Sequence, residues 1–154
     1  MATVQTRDFG ELPCDPSAEL AFPLGIPGFE DQRRFVLIEL PALSPVVLLQ
    51  SLETSSLCFL AIAVSVLDSG YRSGIAPEDL QVLGLDENRQ PWPDEEALFM
   101  AILSPSADGT LTANLLAPVV VNLRTRVGLQ AVRSDRLYSH RHPLSPAPPE
   151  RPCS

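Results

Sequence analysis

From Val4 to Val132 the apolar residues fall in short runs separated by proline, glycine, aspartate and serine, a rhythm that fits strands of five to eight residues better than long helices. The runs predict strands at Val4 to Phe9, Glu19 to Phe22, Arg34 to Leu40, Val46 to Leu52, Cys58 to Val64, Ala97 to Leu103, Val119 to Leu123 and Leu129 to Val132. Phe35-Val36-Leu37-Ile38 and Phe59-Leu60-Ala61-Ile62 are apolar without alternation, as expected of strands covered on both faces or wrapped into a small closed barrel. One helix is predicted over Pro77 to Leu83. Pro77 suits its first position, Glu78 and Asp79 its positive end, Leu80 and Leu83 share a face, and Gly84 can terminate it. The expectation is a mainly β protein: a small antiparallel, barrel-like single domain over residues 1–144 with one short helix.

The segment Phe22-Pro23-Leu24-Gly25-Ile26-Pro27-Gly28-Phe29-Glu30 alternates conformational punctuation with large apolar side chains. Proline fixes its own φ and restricts the residue before it, and glycine opens positive φ, so the backbone bends at set points and presents its apolar residues in fixed directions. A packed turn between strands is the plain reading. Gly25-Ile26-Pro27-Gly28 also has the Gly-x-x-Gly spacing of an RNA-clamping KH loop, but Pro27 removes an amide and Glu30-Asp31 follow where basic residues would be wanted.

A chain of 154 residues, 45% of them hydrophobic, is long enough for one self-sufficient core. Cys14, Cys58 and Cys153 are odd in number and widely spaced, which suggests neither a disulfide framework nor a zinc site and fits a reducing cytoplasm. Met1 to Asp8 lacks the basic start and apolar run of a signal peptide. The longest apolar run, Leu57 to Leu67, is far short of a bilayer span and reads as a buried strand. The net charge of −8 repels phosphate backbones and favours basic partners; every base is arginine. The last ten residues, Ser145 to Ser154, carry four prolines and little to bury, and read as a disordered tail; Pro146 to Pro149 matches Pro-x-x-Pro.

The chain lacks a Gly-x-Ser-x-Gly elbow, a P-loop, a dinucleotide fingerprint and a His-Glu-x-x-His motif. His140 and His142 flank Arg141; the cation, the adjoining Pro143 and the want of a nearby acid or cysteine argue against a metal site. Glu78-Asp79, Asp86-Glu87 and Asp94-Glu95-Glu96 lie beside turn or helix-start residues, where solvated acids are common, and are alternatively docking points for a basic partner. Trp92, between Pro91 and Pro93, is either a contact residue or a cover for the barrel end. No cofactor and no catalysis are expected.

Three segments, Phe22 to Glu30, Leu49-Gln50-Ser51-Leu52 and Thr112-Ala113-Asn114-Leu115-Leu116-Ala117-Pro118-Val119-Val120-Val121-Asn122, occur in an order that resembles the flagellar assembly factor FliW family. Phe9-Gly10-Glu11, Gly128-Leu129-Gln130 and Arg141-His142-Pro143-Leu144 extend the resemblance to about residues 3 to 144. The chain departs from it at Ala63 to Tyr71, where members often carry an Asp-Pro pair. The resemblance implies a bacterial cytoplasmic protein that is not an enzyme but binds flagellin and, when released, binds and antagonises the translational repressor CsrA, relieving repression of flagellin synthesis. It implies no direct nucleic-acid or membrane contact, and a monomer is expected. Ile26 and Phe29 are the apolar partner-contact candidates. Asn114 and Asn122 either cap backbone groups at turns or hydrogen-bond a partner. The competing reading is a small-barrel nucleic-acid-binding protein.

Overall fold

The computed structural model describes residues 2–6, 10–14, 18–93, 95–133, 135 and 137–144. The predicted tail, Asp94 and the end of the first predicted strand lie outside them. The described strands are β1 (Ala2–Thr6), β2 (Gly10–Cys14), β3 (Glu19–Ala21), β4 (Arg34–Glu39), β5 (Val46–Ser51), β6 (Cys58–Ala63), β7 (Ala97–Pro105), β8 (Leu111–Ala113), β9 (Val119–Asn122), β10 (Gly128–Gln130) and β11 (His142–Pro143). Among the described residues there are also helices α1 (Val64–Leu67) and α2 (Pro77–Leu83) and a 3-10 turn at Pro41–Leu43, two short helices where one was expected.

β1 and β2 form a separate antiparallel hairpin, and the other strands form one sheet in the order β10-β9-β7-β6-β5-β4-β3, with β8 and β11 attached to the far end of β7. β7 is long enough to serve three neighbours. Met100–Ile102 pair with β6 on one edge, while on the other Ala97–Met100 pair with β9 and Leu103–Pro105 with β8. The sheet is barrel-like but not closed by a ladder. Its two ends meet at a single parallel bridge, Ala21 to Val127, where the Ala21 amide donates to the Arg126 carbonyl at 2.9 Å.

The two faces of the sheet bury different partners. On one, Phe99, Ala101, Val120 and Leu129 pack with Ile62 against Leu80 and Leu83 of α2, and we call this the helix face. On the other, Phe35, Leu49, Ala61, Met100, Val119 and Val121 pack against Leu20, Phe22 and Ile26; this is the loop face. Val36, Ile38 and Leu48 form a third cluster, with Leu12 of the hairpin packed on it. This explains the unbroken apolar run of β4, which carries a covering on each side, but not that of β6, where Leu60 is exposed.

α2 has the predicted bounds, with Leu80 and Leu83 buried, no side-chain cap at Ala76, and Gly84 at φ +74° donating its amide to the Leu80 and Gln81 carbonyls. The run Leu57 to Leu67 is not one strand: after Ala63 the chain turns into α1, with the Asp68 amide donating to the Val64 carbonyl, so Val64 is buried and Val66 exposed. Arg133 closes the far side, its side chain almost wholly buried. Its guanidinium lies over the Tyr71 and Tyr138 rings, bonds the Asp135 carboxylate twice at 2.9 Å, and donates to the Tyr71 hydroxyl and the Arg72 carbonyl. A buried cation needs this much company.

Candidate partner-binding surface

The loop from Phe22 to Phe29 is the plug of the loop face. Phe22 is completely buried, edge-on to Phe35 with ring centroids 5.1 Å apart, a burial that contributes about 2 kcal/mol. Gly25 sits at φ +67°, its amide donating to the Phe22 carbonyl, and a Cβ there would stand 2.5 Å from the Glu30 Cα; only glycine fits. Ile26 and Phe29 are then joined by reciprocal backbone hydrogen bonds of 3.4 and 2.6 Å. The Glu30 carboxylate accepts from the Gly28 amide, which holds its pKa below the usual carboxylate value. The loop is a packed turn, and its fixed geometry sends Ile26 inward while Leu24 and Phe29 face out.

The plug covers only part of the loop face. Beyond it Leu37, Val47, Leu98 and Ile102 stay half-buried, and a cavity of about 460 Å³ opens among Leu37, Val47, Ala63, Val66, Leu98 and Met100. Leu40, Pro41 and Pro45 make one wall, and Glu39 is the lone carboxylate in the lining. The cross-strand row Leu37-Leu49-Phe59, buried at Leu49 and half-buried at its two ends, runs from this cavity to Phe29, whose ring meets Phe59 edge-on at 5.4 Å. The result is an apolar strip of half-buried and exposed side chains, from Phe29 and Phe59 at one end to the cavity and exposed Val66 at the other, seated on buried Leu49, with Glu30, Asp31 and Glu53 exposed at its Phe29 end. Half-buried aliphatic side chains around an open hollow suit apolar side chains of a second chain.

The four residues singled out from the sequence separate. Phe29, 38% exposed, lies on the strip, whereas Ile26, 2% exposed, is core and presents no surface to a second protein. Asn122 is buried: its Nδ2 donates to the Leu83 carbonyl at 2.7 Å and its Oδ1 accepts from the Arg124 and Thr125 amides, so it caps the β9-β10 turn and ties that turn to α2. Asn114 caps the Ala117 amide through Oδ1 at 2.9 Å but is only half-buried, at a second cavity. Trp92 is exposed and covers no barrel end. Sequence reading missed Leu37, Val47, Ala63, Val66 and Leu98; their signal was present in the apolar excess of β4 to β7 and α1, which looked like two fully covered faces.

The acid clusters serve local structure. Glu96 accepts from the Arg89 guanidinium at 2.6 and 2.8 Å and from the Trp92 amide, contacts that hold its pKa at about 2. Asp86 accepts from the Asn88 amide, and burial raises the Asp79 carboxyl above its ordinary value. Among the described residues no three His, Cys, Asp or Glu side chains group to hold a metal ion, and no helix is long and apolar enough to cross a membrane.

The family model FliW protein matches residues 3–144. The chain is 32% identical to the flagellar assembly factor FliW of Heliobacterium modesticaldum over 94% of its own length and 91% of that protein, and 28% identical to that of Bacillus subtilis over 92% and 95%. A crystal structure of the flagellar assembly factor FliW superposes with a TM-score of 0.80 at 27% identity, covering 95% of this chain and 99% of that one. The family match over residues 3–144, the 32% identity along nine-tenths of both chains and the shared fold make this protein a member of the FliW family of flagellar assembly factors.

Proposed function

We propose that this protein is a non-catalytic, cytoplasmic partner-switching regulator: it binds flagellin and, once released, binds CsrA and relieves CsrA's repression of flagellin synthesis. The observation that carries the reading, beside family membership, is the apolar strip from Phe29 to Val66 with its open cavity, a surface suited to the apolar face of an amphipathic helix such as a terminal segment of flagellin. A charge of −8 suits a basic RNA-binding protein as the second companion and disfavours direct nucleic-acid binding.

Gel filtration of the purified chain with flagellin and, separately, with CsrA tests the reading. A co-eluting complex with each is expected, and absence of both complexes rejects it. Val66→Asp sets a charge at the exposed rim of the cavity without touching the core, and is expected to weaken the flagellin complex about tenfold or more by desolvating a carboxylate on binding.

A further inference from the structure

A second cavity, of about 530 Å³, shares no lining residue with the first. It lies where β7 leaves β6 and takes β8 as a neighbour, and the turn at 139–141 forms its rim, held there by the Leu115 amide donating to the Ser139 carbonyl and by the pairing of His142 with Ala113. Arg141, His140, Asn114, Gln130, Ser104 and Thr112 line it, and no carboxylate does. In a chain of net charge −8 that is a local reversal of sign.

Two donors there are committed, the Thr112 hydroxyl to the Ser104 carbonyl and the Gln130 amide to the Ala117 carbonyl, but others keep capacity. Asn114 uses Oδ1 on the Ala117 amide, which leaves its Nδ2 without an acceptor among the described residues. Gln130 does the opposite, giving Nε2 to the Ala117 carbonyl and keeping Oε1. Arg34, Arg89 and Arg133 each hold a carboxylate, whereas the Arg141 head group makes no ion pair among the described residues. The nearby acid Asp108 is already occupied by the Ser106 hydroxyl and by the amide and hydroxyl of Thr110. A guanidinium, an amide N–H pair and an imidazole around one hollow match an oxyanion, and the spare Gln130 oxygen matches a peptide N–H beside it.

We propose that this cavity receives the carboxylate of an aspartate or glutamate side chain from a protein partner. A nucleic-acid strand would have to lay many phosphates along an acidic protein to deliver one into the hollow, and a free phosphate dianion would meet a single permanent cation. A protein is also favoured by position. Leu98 and Met100 line the first cavity and Ile102 and Ser104 the second, alternate residues of one strand on the loop face, so a segment laid along β7 reaches both hollows within about 20 Å. The inference rests on the reading of the apolar strip as the docking surface and adds an acidic residue to the partner segment.

The test is a heteronuclear NMR titration of the full chain with an acetylated, amidated helical peptide that carries leucines on one face and a glutamate beside them, and with its glutamine counterpart. Saturable shifts at Asn114, Gln130 and Arg141 with the glutamate peptide, weakened about tenfold by the glutamine exchange, by Arg141→Ala or by Asn114→Asp, support the pocket. Asn114→Asp keeps the oxygen that caps Ala117 and replaces only the free donor, so it separates recognition from folding. Equal shifts with the glutamine peptide, insensitivity to both variants, or stronger shifts at these residues from inorganic phosphate or a single-stranded RNA would each overturn it. If flagellin and CsrA still co-elute with both variants at wild-type affinity, the pocket fails while the strip stands; if neither protein binds the wild type, the wider reading fails.

Discussion

Two buried or bridged side chains show how polar residues in this protein are committed to structure. Asn122 supplies three hydrogen bonds from a fully enclosed position, so Asn122→Ala leaves the Leu83 carbonyl and the Arg124 amide without partners and is expected to cost about 2 to 3 kcal/mol in urea denaturation. Glu96 gives a pH signature. Its folded pKa of about 2 lies below the ordinary 4.5, so the carboxylate's stabilising contribution is present above pH 4.5 and is lost as the pH falls from there toward 2. Arg89→Ala removes the main cause, and carbon-detected NMR should then show the Glu96 titration moved upward but still below its ordinary value, because the Trp92 amide bond remains, while an unchanged titration would assign the shift to the Trp92 amide alone. The sequence offered turn capping or partner bonding for Asn114 and Asn122 without deciding between them, and it gave no sign of the bond to α2. Whether a turn asparagine faces α2 or a cavity depends on elements brought together from distant positions, and the Asn122 to Leu83 bond spans 39 residues.

At the scale of elements, the loop from Phe22 to Phe29 decides how much of the loop face stays open. Gly25→Ala forces a Cβ into the Glu30 backbone at a positive φ, and is expected to destabilise the fold by roughly 2 kcal/mol or more and to displace Phe29 from Phe59. A loss of flagellin binding larger than that from Phe29→Ala would show that the loop acts by position as well as by contact. The loop was legible because proline and glycine act locally, and α2 was legible because its start, buried pair and glycine stop all lie within eight residues. β8 and β11 were not legible: at three and two residues they carry no period, and they exist because β7 outruns β9 and leaves an edge to be paired. α1 hid in an apolar run for a different reason, since Val64, Val66 and Leu67 are as apolar as the strand before them and no proline or glycine marks the change at Ala63.

For the molecule as a whole, two kinds of surface coexist: an acidic exterior and an apolar strip that continues along β7 into a cationic hollow. They respond differently to ionic strength. Charges exposed to solvent are screened over a Debye length of about 8 Å at physiological salt and about 3 Å at 1 M, whereas contact between aliphatic side chains in a hollow is not weakened by salt. If CsrA is recognised through the acidic exterior and flagellin through the strip, raising the salt from roughly 0.05 to 0.5 M should lower CsrA affinity several-fold, mostly through slower association, and leave flagellin affinity within about twofold. Surface plasmon resonance with each partner over that range separates the two surfaces, because the association rate reports steering and the dissociation rate reports packing. The Arg141 hollow adds one ion pair to the flagellin side at most, so a small salt response that Arg141→Ala removes is compatible with this division, while equal salt slopes for the two partners would mean that both use the same charged face.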